Sequence, residues 1–394
     1  MAKVTPAKRI DTLPPHFFGA IDRRVAAARA EGVDVIDASK GNPDLPTPEH
    51  IVRAMHAAVA DPANHGYPSF TVRAGVREGV VERYRIDHGV ELDPETQVAA
   101  FHGSHEGLMA AVAALVDSGE TLVLPDPGYP AYRSAAELAG ARVELLPLDR
   151  ESGYQPHFSV LTELPEAAAV LLNYPNNPTG ALATLDTFAK AHAESRRLGA
   201  AFIHDFAYST LGSHGVRPLS ALTTGVEGNI EVSTLSKAYN MAGWRFGYAV
   251  GDPDLIAAMK RYQSHAYSTI FGATQDAAAA ALSGDQSAAV ELVEVYERRR
   301  NLVVGALREQ GWDVFEPEGA FFVWFRSPDP DDVAYAGRLL TEHGVAVAPG
   351  SGFGSLGRGY LRLGLVHPEQ TLSTLVERLA EAFADAPTSG SSAR

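Results

Sequence analysis

Residues 168–205 read AAVLLNYPNNPTGALATLDTFAKAHAESRRLGAAFIHD. Two short apolar runs, at 168–173 and 201–205, flank a helical pattern at 184–198. Runs of that length and composition read as buried strands, and strand–helix–strand alternation is the signature of a mostly parallel α/β sheet. The texture repeats outward. Further runs at 98–101, 121–124, 142–147, 230–235 and 246–250 bring the strands to seven, with another helical pattern at 106–116. The expected fold class is therefore α/β, with a large domain whose mostly parallel seven-stranded sheet is sandwiched by helices. Ligands of such sheets sit beyond the carboxyl ends of the strands.

After Gly284 the pattern changes to one long helix at 286–310, a strand–helix–strand set over 312–366 and a last helix from 368 to about 385. The start of the chain holds a helix at 18–31 and a short strand at 35–38, too little to form a domain alone and expected to pack on the C-terminal residues. The predicted division is an N-terminal arm and part of a small α+β domain at 1–40, a large domain at 41–284, the rest of the small domain at 285–385, and a disordered tail at 386–394.

Composition narrows the function. Hydrophobic residues make up 45% and charged residues 21% of the 394, as in a globular protein that folds by burial. The 33 Lys and Arg against 48 Asp and Glu give a net charge of -15, which repels nucleic acid and anionic membranes on average. Cysteine is absent, which removes disulfides, thiolate metal sites and cysteine nucleophiles. The opening MAKVTPAKRIDTLPP has no apolar signal core, and no run of about 18 apolar residues occurs. A cytoplasmic protein with nothing cleaved is expected.

Chemistry-bearing residues cluster at strand ends. Ser236-Lys237 follows the run at 230–235, an unusual place for a lysine, with Arg245 eight residues on. Schiff-base chemistry needs an amine that can become neutral, and burial beside other cations lowers its pKa. Asp205-Phe206-Ala207-Tyr208 closes another strand. Read alone, Asp205 is a helix N-cap, but an electron-withdrawing pyridine cofactor needs an acid to keep its ring nitrogen protonated. Gly103-Ser104-His105-Glu106-Gly107 lies between a strand and a helix, where backbone N–H groups suit a phosphate, although Ser104 could simply cap the helix. Tyr129, in Pro125-Asp126-Pro127-Gly128-Tyr129-Pro130, could stack on a flat ring. Residues 173–180, NYPNNPTG, read alone are a turn. Gly352, Gly354 and Gly357 form a G-x-G-x-x-G that leads into a strand and so cannot act as a dinucleotide site. The histidines show no metal-ligand spacing, and no metal is expected.

The ordered set GSHEGL, PDPGYP, NNPTG, DFAY, TLSK and GWRFG resembles the class I and II aminotransferases of fold type I, from about Ile10 to Ala384. LPPHFF, GNPDLPTPEHI and TLSKAYNMAGWR bring it nearest to the branch of alanine-forming and LL-diaminopimelate aminotransferases. The resemblance implies pyridoxal 5'-phosphate as cofactor, carried by Lys237 as a Schiff base, with the same lysine shuttling the substrate proton. Asp205 would pair with the ring nitrogen, Asn177 and Tyr208 would hydrogen-bond its phenolic oxygen, and Tyr129 would stack on it. Ser104, His105, Thr234, Ser236 and Arg245 would hold the phosphate, with Tyr67 from a partner subunit, which implies a homodimer. Arg362 would grip the substrate α-carboxylate in a bidentate fork, supported by Gly41 and Asn177.

The implied reaction is ping-pong transfer of an amino group from an L-amino acid such as alanine or glutamate to 2-oxoglutarate or pyruvate. LL-diaminopimelate or aspartate transamination, or β-eliminating C–S lysis on the same fold, are the alternatives. Two departures stand out. The branch usually has lysine where this chain has His105, and residues 263–275 hold no arginine for a distal carboxylate, which argues against strict aspartate specificity. Phe17 and Phe18 are placed near the side-chain pocket. A cofactor-sensing transcription regulator would need a DNA-binding module, and it is not the expected reading of a net acidic chain whose enzyme-like sequence starts near residue 10.

Overall fold

Residues 168–205 form the expected unit, and the local causes are visible. Thr184 caps the helix Leu185–Leu198 in a reciprocal box with Thr187, and Gly199 ends it in the left-handed region at φ 68°. The computed structural model describes residues 4–384, so the tail at 386–394 and the last residue of the expected final helix lie outside the described residues. Numbered along the chain, the strands are β1 (Ile36–Asp37), β2 (Val98–Phe101), β3 (Thr121–Asp126), β4 (Arg142–Pro147), β5 (Ala169–Asn173), β6 (Ala201–Asp205), β7 (Asn229–Thr234), β8 (Gly247–Gly251), β9 (Phe322–Arg326), β10 (Val345–Ala346), β11 (Ala348–Pro349) and β12 (Tyr360–Gly364).

β2 to β8 make one seven-stranded sheet in the order β2-β8-β7-β6-β5-β3-β4. Only β8 runs antiparallel to its neighbours; the other pairs are parallel. Alternation along the strands sends side chains to two cores. Val170 and Leu172 pack with Phe188 and Phe202 on one face. Ala169 and Leu171 join Leu108, Ala111 and Tyr132 on the other. Helices thus cover both faces, and truncating a fully buried ring such as Phe202 should cost about 3–5 kcal/mol. The helices Glu49–Ala60, Ala74–His88 and Gly272–Ser283 enclose a further core beside β2 and β8, through Ile51, Val80 and Ala277.

A three-stranded sheet, β11-β12-β9, is wholly antiparallel. Its core includes Trp312, Phe325, Leu363 and Leu379. The two ends of the chain meet where β1 pairs in parallel with β10, Ile36 opposite Val345. The helix Phe17–Ala30 buries Ile21, Val25 and Ala28. Several boundaries differ from the sequence expectation by one or two residues, β3 running on to Asp126 for one; at another, β7 stops at Thr234 and Leu235 opens the four-residue helix Leu235–Ala238, because the Thr234 hydroxyl accepts the Ser236 N–H at 3.1 Å and caps it.

Candidate active site

One cavity of about 340 Å³ opens along the carboxyl edge of the large sheet. At one end the chain turns from β2 into the helix Ser104–Leu115 through Gly103, at φ 89°. A Cβ there would lie 2.6 Å from Arg245 Nη2, so only glycine lets the guanidinium settle against the turn. Arg245 Nη1 donates to the Ala242 carbonyl at 2.7 Å. Ser104, His105, Thr234 and Ser236 line the same end. Thr234 Oγ1 lies 2.8 Å from both Ser236 Oγ and the Phe246 carbonyl. First-turn amides, hydroxyls and a cation converge as an anion cradle.

At the opposite end Asp205 is buried at the end of β6. Tyr132 donates to its Oδ2 at 2.6 Å and the Ala207 N–H to its Oδ1 at 3.2 Å. Burial pushes the Asp205 carboxyl up, while the Tyr132 hydrogen bond, the charge of His204, Ala207 and the charge of Lys237 pull it down. Tyr129 and Tyr208 line the same space, and burial raises both hydroxyls. On the far side of β6, His204 and Glu231 form a fully buried pair at 2.7 Å. Burial raises the Glu231 carboxyl, but the hydrogen bond and charge of His204 outweigh it and hold the group below its usual range.

Lys237 stands between these ends, donating to the Gly41 carbonyl at 2.6 Å. Burial, then the charges of Arg362 and Arg245, lower its ammonium to about 8, with Asp205 opposing. Arg362, on the middle strand β12, is buried; Nη1 donates to Asn177 Oδ1 at 2.7 Å and Nη2 to the Ser39 carbonyl at 2.6 Å. Its plane lies among the Phe322, Phe353 and Phe18 rings, with centroids at 4.1, 4.8 and 5.2 Å. Burial lowers its guanidinium to about 10. Its Nε has no protein partner, and because Asn177 Oδ1 is taken, the Asn177 amide N–H groups remain to donate.

Gly41 and Phe18 also line this cavity. Phe17 sits behind Phe18, centroids 4.9 Å apart, lining an adjoining space. Tyr67 is not brought to the cavity within one chain: it is 98% exposed. Three contributors carry no local sequence signal, namely Tyr132, Lys40 and Phe322, while Asn173 closes an apolar run in a stretch that read alone is a turn. Tyr132 meets Asp205 across 73 residues. Asn173 accepts the Asn177 N–H and donates to the Asp205 carbonyl, both at 2.8 Å. Lys40 is held by Asp22 at 2.7 Å and Asp37 at 3.3 Å. Among the described residues no cluster of His, Cys, Asp and Glu could hold a metal ion, and no helix is long and apolar enough to cross a membrane.

Comparison with known proteins bears on this geometry. The model of the family "Aminotransferase class I and II" matches residues 33–379. The chain is 44% identical to the L-glutamine–4-(methylsulfanyl)-2-oxobutanoate aminotransferase of Bacillus subtilis, over 94% of each protein. It is 40% identical to an LL-diaminopimelate aminotransferase of Dehalococcoides mccartyi, over 95% of this chain and 98% of that one. Substrate-bound BacF from Bacillus subtilis superimposes with a TM-score of 0.93 at 35% identity, covering 99% of this chain and all of the other. The chain therefore belongs to the class I and II aminotransferases, pyridoxal-phosphate-dependent enzymes of fold type I that move an amino group from an amino acid to a 2-oxo acid.

Proposed function

We propose that this enzyme exchanges the amino group of small or polar L-amino acids, alanine or glutamate, with 2-oxo acids such as 2-oxoglutarate or pyruvate, using Lys237 as its proton-transferring amine. The observation that carries the reading is the placement of Lys237, Asp205 and Arg362 around one cavity with an anion cradle at its end. The residues fit pyridoxal 5'-phosphate: Ser104, His105, Thr234, Ser236 and Arg245 would hold its phosphate, Asp205 its ring nitrogen, Asn177 and Tyr208 its phenolic oxygen, and Tyr129 one face. Bound there, the cofactor supplies an electron-withdrawing ring that takes up the electron pair released when the substrate Cα–H bond breaks. Arg362 fixes the α-carboxylate, with Gly41 and Asn177 beside it, and so orients that bond. Lys237, with its ammonium lowered to about 8, has an amine that can take the proton and return it. Tyr132 and Ala207 hydrogen-bond the two oxygens of Asp205 and oppose the upward push of its burial.

The enzyme is assigned as a cytoplasmic homodimer, each cradle completed by Tyr67 of the other copy, whose near-complete exposure leaves it available to do so. Residues 41–284 are assigned to the cofactor-holding domain, and 1–40 with 285–385 to the small domain that carries Arg362. LL-diaminopimelate is the second donor to test, because relatives at 40% identity bear that activity in their names. A panel of amino donors against 2-oxoglutarate tests the reading, with Lys237→Ala as control. Transfer from alanine or glutamate that vanishes in the folded variant supports it. Turnover that persists in Lys237→Ala, or release of pyruvate and ammonia without amino transfer, refutes it.

A further inference from the structure

Neither His204 nor Glu231 lines the cavity, and neither meets solvent. They face each other in register on β6 and β7. Charge at such depth persists only where it is paired and hydrogen-bonded. Glu231 Oε1 receives His204 Nδ1 at 2.7 Å and the Ala221 N–H, and Oε2 receives the Ser220 hydroxyl at 2.7 Å. The other ring nitrogen, Nε2, lies 2.9 Å from the Tyr174 carbonyl. A carbonyl oxygen only accepts, so Nε2 carries a proton. The Ala221 N–H only donates and points at the same Oε1 that faces Nδ1, so this oxygen acts as an acceptor and the proton between it and Nδ1 belongs to the ring. The Phe188 and Phe206 rings close the remaining sides, with centroids at 4.7 and 4.8 Å.

The other titratable groups around the pair leave this charge standing. Burial lowers the His88 imidazole, against the pull of Glu231 and Asp87, and Arg217 adds to the lowering. Asp87 is itself paired with Arg217 at 2.6 Å and Arg83 at 3.8 Å. Burial raises the hydroxyls of Tyr84 and Tyr248, which stand near Glu231 on the helix Ala74–His88 and on β8. Asp205 remains. It is the next residue on β6, and because consecutive strand side chains take opposite faces, His204 stands behind the sheet where Asp205 faces the cavity. Burial pushes the Asp205 carboxyl up, and after the Tyr132 hydrogen bond the charge of His204 is what pulls it down. Charges buried this deeply are little screened.

We propose that His204 is a positioning residue for amino transfer: held as an imidazolium by Glu231 and the Tyr174 carbonyl, it sets a fixed positive charge behind Asp205 and keeps that group a carboxylate for the ring nitrogen of the cofactor. Glu231 serves by keeping the second proton on the ring. The proposal rests on the assignment of Asp205 as partner of the ring nitrogen. It adds to that reading a pair of residues one layer behind the cavity on which the reaction depends.

Nitrogen magnetic resonance of holoenzyme carrying isotope-labelled histidine reads the ring directly, with the His204 signals identified by their loss in His204→Gln. At about pH 7.5, where an ordinary imidazole is mostly neutral, both His204 nitrogens should be protonated, and in Glu231→Gln one of them should not be. The double variant, His204→Gln with Glu231→Gln, removes both charges together and leaves no buried ion unpaired. In it the acid limb of the kcat/KM profile should move to higher pH, and turnover at neutral pH should fall roughly tenfold, the order expected when one unit charge is lost beside a buried acid. An unprotonated nitrogen on His204 in the unsubstituted enzyme overturns the proposal whatever the variants do, and a ring still doubly protonated in Glu231→Gln overturns the part given to Glu231. A folded double variant whose acid limb stays in place, with a lower Tm as its only change, overturns it as well, since a purely structural pair would give that result. Near-normal turnover in Asp205→Ala while His204 is doubly protonated overturns the assignment of Asp205 instead, which separates the two failures.

Discussion

Replacing Arg362 by lysine keeps the positive charge and removes the fork. A guanidinium has five N–H donors. In Arg362 one goes to Asn177 Oδ1, one to the Ser39 carbonyl, and Nε has no protein partner, so three remain for a carboxylate. An ammonium has three donors on one atom. If it satisfied Asn177 and Ser39 it would keep one for substrate, and it has no plane to lie against Phe322 at 4.1 Å. Losing one charge-assisted hydrogen bond costs about 1.5–3 kcal/mol and losing the ring contact about 0.5–1 kcal/mol. The sum, about 2–4 kcal/mol, corresponds to a fall of roughly 30- to 1,000-fold in kcat/KM. Because every substrate presents the same α-carboxylate, the fall should be equal across donors and leave their ranking unchanged. Steady-state kinetics with alanine, glutamate and a long apolar donor reads this directly. A loss under about threefold, or a loss confined to one donor class, refutes the role given to Arg362.

Other expectations follow from single contacts. Lys237 should titrate near 8 in the cofactor-free protein, because burial and the two arginines disfavour its ammonium; the rate of pyridoxal phosphate uptake should rise with pH through that value and then level, and a midpoint near 10.5, the ordinary lysine value, would contradict it. Asp205→Ala should lower turnover by about three orders of magnitude or more with smaller loss of bound cofactor, since only a carboxylate keeps the ring nitrogen protonated, and near-normal turnover would make Asp205 a mere helix cap. Tyr132→Phe deletes the 2.6 Å hydrogen bond that opposes the effect of burial on Asp205, so the carboxylate should protonate at higher pH and the acid limb of the kcat/KM profile should move to higher pH. An unmoved limb with merely lower protein stability would show Tyr132 to be structural. Changes at Phe17 or Phe18 should reorder the donors, in contrast to Arg362→Lys, and an unchanged ranking in a donor panel would remove them from the side-chain pocket.

Strands were legible because parallel strands buried on both faces are unbroken apolar runs: β5 and β6 fall within one residue of the runs in the sequence. The helices Ala74–His88 and Gly272–Ser283 are harder to read, the first because its sequence AGVREGVVERYRIDH mixes charge into its buried face, the second because GATQDAAAAALS is alanine-rich with no polar face to set a period. The site divides in the same way. Lys237, Asp205 and Arg245 stand out because each is a polar residue next to a strand. Tyr132 does not, since a tyrosine three residues after Tyr129 reads as part of the same aromatic turn, and its partner is fixed only by the stacking of a helix on the sheet. His204 and Glu231 did leave a trace. They are titratable residues inside two apolar strands, and the register sets them directly opposite.

The reversed strand of the large sheet, β8, explains how these distant segments meet. Parallel strands present their carboxyl ends on one edge, which accounts for Asn173, Asp205 and Thr234 at the ends of β5, β6 and β7. Arg245 precedes a strand instead of following one, and in an all-parallel sheet it would lie at the opposite edge. Because β8 is reversed, its first residue Gly247 pairs with both Phe101 and Thr234, the last residues of β2 and β7. Arg245 is thereby delivered to the carboxyl edge, beside the turn at Gly103. Gly247 must lack a side chain for this, since a Cβ there would stand 2.5 Å from Ser104 N and push the amide out of the cradle. The phosphate end of the site thus depends on strand direction and on close approach at Gly103 and Gly247. The acid end depends on a tyrosine from the helix Ala131–Ala139. Lys237, two residues past Leu235 where β7 gives way to a capped turn, is placed between them by the same Thr234 hydroxyl that lines the cradle.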